Sequence, residues 1–397
     1  MNPTTASSAP TSVEIAFSEE EAMLAQSAYE LLGKRSDLAS VRRWLESEGG
    51  YDPALYAELA ELGWLGAAVP AEYGGAGLGV GALTAVVEAM GKHLFASPFL
   101  ASSLAAQALL AGGSAAQREQ WLPQLVRGQA IGSVALHEPS GSFALAAFGA
   151  RATRSAAGFQ LQGEKTLALD AQHADCVLIA AQLEGAPALF LATRAQLIGR
   201  LRRETLIDER RRSARIALDG LELPAEALLD AGGGGDASAA IAHLQRCGYL
   251  LVAAEMAGGA EGVLGLTVEY LKTRVQFGRP IGSYQALKHP MVEIMCALEQ
   301  GRSLLYHAAT VFSGADSQSE IALRMAKAQL GDTYSYASDR SIQFHGAIGF
   351  TYECHAQLYF RHAQWCQAAF GDSPHHRRAL AKLLWPVALP GAAGARP

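Results

Sequence analysis

The segment Arg274-Val275-Gln276-Phe277-Gly278-Arg279-Pro280-Ile281 gathers a guanidinium, an amide and an aromatic ring. Upstream, Leu264, Val268 and Leu271 recur at helical spacing, and downstream Met291, Ile294 and Leu298 resume it. Gly278 and Pro280 interrupt the pattern, so the three groups are predicted at a tight turn between two helices. Arg presents a planar fork of donors to phosphate oxygens, and the ring suits a flat heterocycle. The segment therefore fits a dinucleotide-like ligand, although a capped helical hairpin with a solvated Arg carries the same pattern.

A second segment, Gln343-Phe344-His345-Gly346-Ala347-Ile348-Gly349-Phe350-Thr351-Tyr352-Glu353, ends another helical run. Three more follow the same order along the chain: Pro70-Ala71-Glu72-Tyr73-Gly74-Gly75, His137-Glu138-Pro139-Ser140-Gly141-Ser142 and Arg361-His362-Ala363. Together the five segments resemble those of the acyl-CoA dehydrogenase family. The resemblance implies FAD as cofactor, an acyl-CoA substrate and an electron-transferring flavoprotein as electron acceptor. It also implies a homo- or hetero-tetramer.

By that resemblance, Arg274 and Phe277 hold the diphosphate and adenine of a neighbouring subunit's FAD. Gln343, Gly346 and Ala347 close on the same FAD from the other side, as parts of a different chain. Val134 and Ser142 line the flavin ring, while Glu138, Gly141 and Phe370 line the thioester end of the substrate. Ala347 replaces a usual glycine, His137 and Phe143 stand where Thr and Asp are common, and Leu167 and Leu169 replace a usual Trp and Thr.

Desaturating an acyl thioester needs a base at the α-carbon and a hydride acceptor at the β-carbon. The family's two base positions fall on Phe370, counted from Arg361, and on Gly248, counted from Tyr270 and Phe277. Neither residue accepts a proton. Glu255 and Glu353 are the candidate substitutes. Glu255 has apolar sequence neighbours, which predicts a raised pKa; Glu353 follows Gly-Phe-Thr-Tyr; Glu293 is a weaker third. The chain is thus expected to be an FAD-dependent acyl-CoA dehydrogenase, or else a base-less subunit that completes the FAD site of a sister chain. A Phe at the late base position resembles a subgroup acting on bulky acyl-CoAs, including steroid side chains.

The elements that position these groups follow a helical, β, helical order. Ser18 with Glu19, Glu20 and Glu21 predicts a capped helix start, and alanine-rich helices are expected over Ala82–Met90 and Leu100–Leu110. β-favouring runs at Ser133–Leu136, Phe159–Gly163, Cys176–Ala181, Ala188–Ala192 and Arg215–Leu221 predict a small sandwich or barrel. The expected fold is mostly α with a central β-domain: a tail at 1–17, a helical N-domain at 18–130, a β-domain at 131–230 and a Gly-rich linker at 231–236. A four-helix-bundle C-domain at 237–390 and a tail at 391–397 complete it.

Of 397 residues, 50% are hydrophobic and 18% charged, which marks a globular chain. The net charge of −6 argues against nucleic-acid binding. No uncharged apolar run reaches the roughly 18–20 residues of a membrane span, so no membrane insertion is expected. The Arg200–Arg212 cluster alternates with acids and reads as a solvated strand surface. Five scattered cysteines predict buried thiols in a reducing cytoplasm rather than disulfides or zinc. His375 and His376 read as basic residues capping a C-terminal helix on a surface facing phosphate or solvent, not as metal ligands. Leu323, Met325, Ala328 and Leu330 predict a helix buried against other helices, as in an oligomer.

Overall fold

The computed structural model describes residues 18–142, 148–230, 235–312 and 316–385. The expected tails, most of the Gly-rich linker and Phe143 lie outside them. The chain opens with α1 (Glu19–Arg35), α2 (Leu38–Glu46), α3 (Pro53–Glu61), α4 (Leu83–Lys92), α5 (Phe99–Gly112) and α6 (Ala115–Val126). Ser18 forms the anticipated capping box. Its hydroxyl accepts from the Glu21 N–H while the Glu21 carboxylate accepts from the Ser18 N–H.

Among the described residues nine strands follow: β1 (Gly132–Ala135), β2 (Arg151–Ser155), β3 (Gly158–Gln162), β4 (Glu164–Leu169), β5 (Cys176–Leu183), β6 (Ala186–Thr193), β7 (Leu201–Glu204), β8 (Ser213–Ala217) and β9 (Leu221–Pro224). A six-stranded sheet runs β1-β5-β2-β3-β9 with β6 on β5, and a second sheet runs β4-β8-β7. Phe159, Ile179, Phe190 and Ile216 form an apolar core between the two. The β-favouring runs leave out β2 and β4, which carry Arg151, Arg154, Glu164 and Lys165, while β7 falls within the Arg200–Arg212 cluster read as a strand surface. The single expected run over Arg215–Leu221 is two strands, divided by a turn in which Gly220 has φ 69°.

The chain then becomes helical again with α7 (Ser238–Thr273), α8 (Gln285–Thr310), α9 (Ser317–His345), α10 (Ala356–Ala368) and α11 (Ser373–Leu384). A small hairpin of β10 (Val275–Gln276) and β11 (Arg279–Pro280) separates α7 from α8. α7, α8, α9 and α10 pack as a bundle, with α11 against α9. The helical, β, helical fold thus matches expectation. α7 also runs beneath α4 and α5. A Cβ on Gly91 would meet the Glu255 carbonyl at 2.1 Å, and one on Gly258 the Glu88 carbonyl at 1.8 Å. Only glycine lets these two backbones touch. α7 is in fact long and apolar enough to cross a membrane, but 67% of its most apolar window is buried inside the protein, as in a core helix.

Several surface expectations are corrected. Arg210, Arg211 and Arg212 are buried, not solvated, because Asp208, Glu255 and backbone carbonyls receive them. His375 and His376 lie near the start of the C-terminal helix α11, but His376 is fully buried and does not face solvent. Cys296 is exposed, whereas Cys176, Cys247 and Cys366 are buried as expected. Leu323, Ala328 and Leu330 are buried within this chain, leaving Met325 exposed at 39%.

Candidate active site

A cavity of 380 Å³ lies where α5, β1, β4 and the end of α10 converge. Ala101 and Leu104 come from α5, Val134 from β1, Leu167 and Leu169 from β4, and Trp365 and Ala368 from α10. Leu136, His137, Glu138 and Gly141 continue from β1, Leu206 and Ile207 follow β7, and Phe370 closes the end. The lining is overwhelmingly apolar, and its volume is that of a small-molecule site. Val134, Glu138, Gly141 and Phe370 therefore meet around one space. Ser142 is exposed beside Gly141 and does not line the cavity.

Backbone strain marks the same region. Leu167 sits where the β4–β8 register shifts, with φ 54°, and Phe370 has φ 56°. Left-handed conformations of such residues cost about 1–3 kcal/mol and persist only where their surroundings hold them. For Phe370 the holder is Lys327, buried and donating to the Gly371 carbonyl at 2.9 Å and the Cys366 carbonyl at 3.1 Å. Burial pushes the Lys327 ammonium down to about 8.

Glu138 anchors the loop above the cavity. Its Oε1 accepts from Lys165 Nζ at 2.7 Å and the Ala150 N–H at 3.0 Å, and its Oε2 accepts from the Gly149 N–H at 2.7 Å. Burial opposes ionisation, but Lys165 and the two amides outweigh it and hold the carboxyl below its ordinary range. Lys165 is itself buried, pushed down to about 8 by desolvation against the pull of Glu138. Glu138 lines the cavity, but its carboxylate is occupied by the protein.

Gly248 and Phe370, on which the family resemblance places the base, come together. A Cβ at Gly248 would lie 2.5 Å from the Phe370 ring. The ring fills the space at both positions, and neither brings an acid.

Glu255 is corrected as a base. Its sequence neighbours are apolar, yet the fold brings Arg211 onto its carboxylate and His362 Nε2 to 3.1 Å. Burial alone would raise its pKa, but Arg211, His362 and Arg210 reverse the sign and hold it near 2. It does not line the large cavity. His362, which replaces a usual Asp, also lies 3.0 Å from Cys366 Sγ. Burial and Glu255 hold that thiol well above its ordinary pKa. A protonated thiol beside an Arg-paired carboxylate makes a structural knot rather than a metal cage. Glu353 is corrected too. It lies on the surface, where its backbone carbonyl accepts from Arg42 at 3.0 Å, away from the cavity. Glu293 is exposed on α8.

The two dinucleotide-like segments lie at the same end of one chain. The Tyr270 ring stacks on His345, centroids 4.2 Å apart and 23° between planes. Arg274 and Phe277 follow α7 while Gln343, Gly346 and Ala347 end α9, so within one chain the two groups lie at the same end of the bundle. Phe277 is 92% exposed with φ 54°, and Ile348 and Phe350 are exposed near that end. The Arg274 side chain has no recorded partner among the described residues. A Cβ at Gly346 would meet nothing within 4 Å. A free guanidinium, an open ring and a bare glycine backbone fit a nucleotide diphosphate and its heterocycle.

Sequence reasoning missed His137 as a lining group. Its imidazole makes an edge contact with Phe370, centroids 5.8 Å apart. Burial and the Lys165 charge push its pKa down to about 4. Trp365 was missed as well; it packs under Arg211 with the guanidinium carbon 4.4 Å from the ring centre. His137 stood openly beside Glu138-Pro139, whereas nothing local announces Trp365.

Two family profiles match the chain: "Acyl-CoA dehydrogenase, N-terminal domain" over residues 18–129 and "Acyl-CoA dehydrogenase, C-terminal domain" over residues 243–384. Acyl-CoA dehydrogenase IpdE2 of Mycobacterium tuberculosis is 32% identical over 349 residues, covering 87% of this chain and 91% of that protein. IpdE2 of Mycolicibacterium smegmatis is 30% identical, covering 92% of this chain and 98% of that protein. The solved Tcur3481-Tcur3483 steroid ACAD G363A variant superposes with a TM-score of 0.83 at 30% identity, over 92% of this chain and 98% of that one. The ChsE4-ChsE5 complex from Mycobacterium tuberculosis shares the fold, with a TM-score of 0.85 at 24% identity, over 95% of this chain and 100% of that one.

Proposed function

Because the chain belongs to the acyl-CoA dehydrogenase family, we propose that it is one subunit of an FAD-dependent oxidoreductase that desaturates a bulky acyl-CoA thioester between its α- and β-carbons. In this reading the α-proton acceptor comes from a sister chain. The observation that carries the proposal is the Gly248–Phe370 contact, which fills both base positions with hydrocarbon. A self-sufficient dehydrogenase needs a base beside the substrate, and neither Glu255 nor Glu353 lines the cavity.

When bound, FAD supplies the hydride acceptor for the β-carbon. Arg274 would pair with its diphosphate, Phe277 would pack on its adenine, and Gln343, Gly346 and Ala347 would close on it from the adjoining helix end. Val134, Gly141 and Phe370 would bound the acyl group, Ser142 would lie by the flavin at the cavity's mouth, and Glu138 would fix the loop above them. An electron-transferring flavoprotein is the proposed electron acceptor. The similarity to a steroid-active two-chain assembly supports both the bulky substrate and the second chain. Val292 and Met295 on α8, with Met325 and Tyr336 on α9, are exposed apolar groups suited to helix packing between subunits.

The deciding experiment follows anaerobic bleaching of the bound flavin by a steroid side-chain acyl-CoA. The chain alone should bleach slowly or not at all, and mixing with a sister chain from the same source should restore bleaching. Rapid bleaching by the chain alone would show that it carries its own base.

A further inference from the structure

A second, much smaller void of about 10 Å³ lies where the N-terminal helices, the β7–β8 segment and the C-terminal bundle meet. α4, the turn after it and the start of α5 line it with hydrocarbon, including Val87, and with the hydroxyl of Ser97. α7 adds Glu255, and the segment between β7 and β8 adds Arg211. Every residue around the void is buried. Glu255 Oε1 is engaged twice, by Arg211 Nη2 and by His362 Nε2 at 3.1 Å. Among the described residues, nothing pairs with Glu255 Oε2 or with Arg211 Nε. A carboxylate oxygen and a guanidinium N–H buried without partners are costly, because each has given up its hydration.

We propose that this void binds a single water molecule, which accepts from Arg211 Nε and Ser97 Oγ and donates to Glu255 Oε2. The wall selects the ligand. Nε–H needs an acceptor and Oε2 needs a donor, so the bound species must be both. An anion would meet the Glu255 carboxylate, and a cation would meet the Arg211 guanidinium, so the species is neutral. A water needs about 10–15 Å³ of such space and about three polar partners, and the void offers both. Ser97 Oγ accepts from the Phe99 N–H at 3.4 Å, which leaves its hydroxyl proton to donate.

The water ties three parts of the chain together through one oxygen. It also steadies a wall of the larger cavity. The Arg211 guanidinium carbon lies 4.4 Å from the centre of the Trp365 ring, and Trp365 lines that cavity. On its other side Arg211 lines an open polar pocket of 210 Å³ with Glu46, Arg203 and Tyr352. The guanidinium is thus the partition between the void and that pocket, and the water exchanges only when Arg211 moves. None of this depends on the substrate, the proton acceptor or a sister chain.

The test uses the full-length, unmodified protein. A crystal structure at a resolution that shows ordered water should contain one oxygen peak about 2.7–3.2 Å from both Arg211 Nε and Glu255 Oε2. Absence of that peak would overturn the proposal. So would side chains rearranged to satisfy both atoms within the protein, or a peak about 2.0–2.6 Å from Glu255, the distance of a bound cation. In solution, ¹⁷O relaxation dispersion counts long-lived internal waters. Val87→Ile adds a methyl to the void's wall and should lose one such water relative to the unmodified protein. An unchanged count in folded Val87→Ile contradicts the site. If Val87→Ile does not fold, Ser97→Val, which removes one partner and adds hydrocarbon to the same wall, is read in the same way.

Discussion

Phe370 lies against α7 at Gly248, so close that one added methyl on the glycine would enter its ring, 2.5 Å from the nearest carbon. These residues belong to different segments, and in the family each is an alternative seat for the same catalytic acid. Their contact explains why an acid at either seat could reach one substrate. In the proposed reading a single aromatic ring closes both seats.

That contact predicts a sign reversal. Gly248→Ala gains about 1 kcal/mol of helix propensity but overpacks a buried site, which costs about 1–3 kcal/mol. Net destabilisation is expected in the unmodified chain. In a Phe370→Ala background the same change should stabilise, and chemical denaturation of the four chains measures the coupling. Additive effects would contradict the contact.

Phe370→Glu should give the chain a base of its own. General base catalysis contributes about 10²- to 10⁴-fold, so bleaching by acyl-CoA without a sister chain should rise within that range. No gain, with FAD and substrate bound, would place the α-carbon elsewhere.

Glu255→Gln should act on stability rather than on proton transfer. Removing one partner of a buried ion pair leaves Arg211 unmatched, at about 3–5 kcal/mol. The Glu255 carboxyl is held down in the folded chain, so its contribution is present above the ordinary carboxyl value of 4.5 and lost as pH falls toward about 2. Melting temperatures measured from pH 6 downward should show an acid-sensitive loss that Glu255→Gln removes. A variant of unchanged stability that no longer supports bleaching would restore the catalytic assignment.

Arg274→Ala should weaken FAD by roughly 10- to 150-fold, the value of a charge-assisted hydrogen bond. In the proposed reading the α7 and α9 ends of one chain serve the same flavin, so mixing Arg274→Ala chains with Gln343→Ala chains should not rebuild an intact site. Titration of FAD into the mixed oligomer checks this. Recovered affinity would mean that the two segments serve one flavin from different chains.

Val292→Glu or Met295→Lys should lower the oligomer's mass in light scattering while leaving helical content unchanged. These side chains are exposed apolar groups on α8, at 54% and 52%, and burying a charge at a helix interface is costly. An unchanged mass for both variants would place the subunit contact on another face.

Local chemistry written in consecutive residues was legible before folding. The Ser18 capping box, the Gly278–Pro280 break and the alternation of helices and strands depend on backbone preferences within a few positions. The gathering of Val134, Glu138, Gly141 and Phe370 was legible only through the family resemblance. Tertiary structure decided the charge state of Glu255: apolar neighbours along the chain predict a raised pKa, but Arg211 arrives from the loop before β8 and His362 from α10. It likewise made Arg210–Arg212 a buried network and brought His137 to the wall of an apolar cavity. Sequence spacing carries the periodicity of an element, whereas electrostatics depends on distance through space. The absence of an acid at Gly248 and Phe370 could be read from the sequence, but that one ring fills both places is a fact of packing.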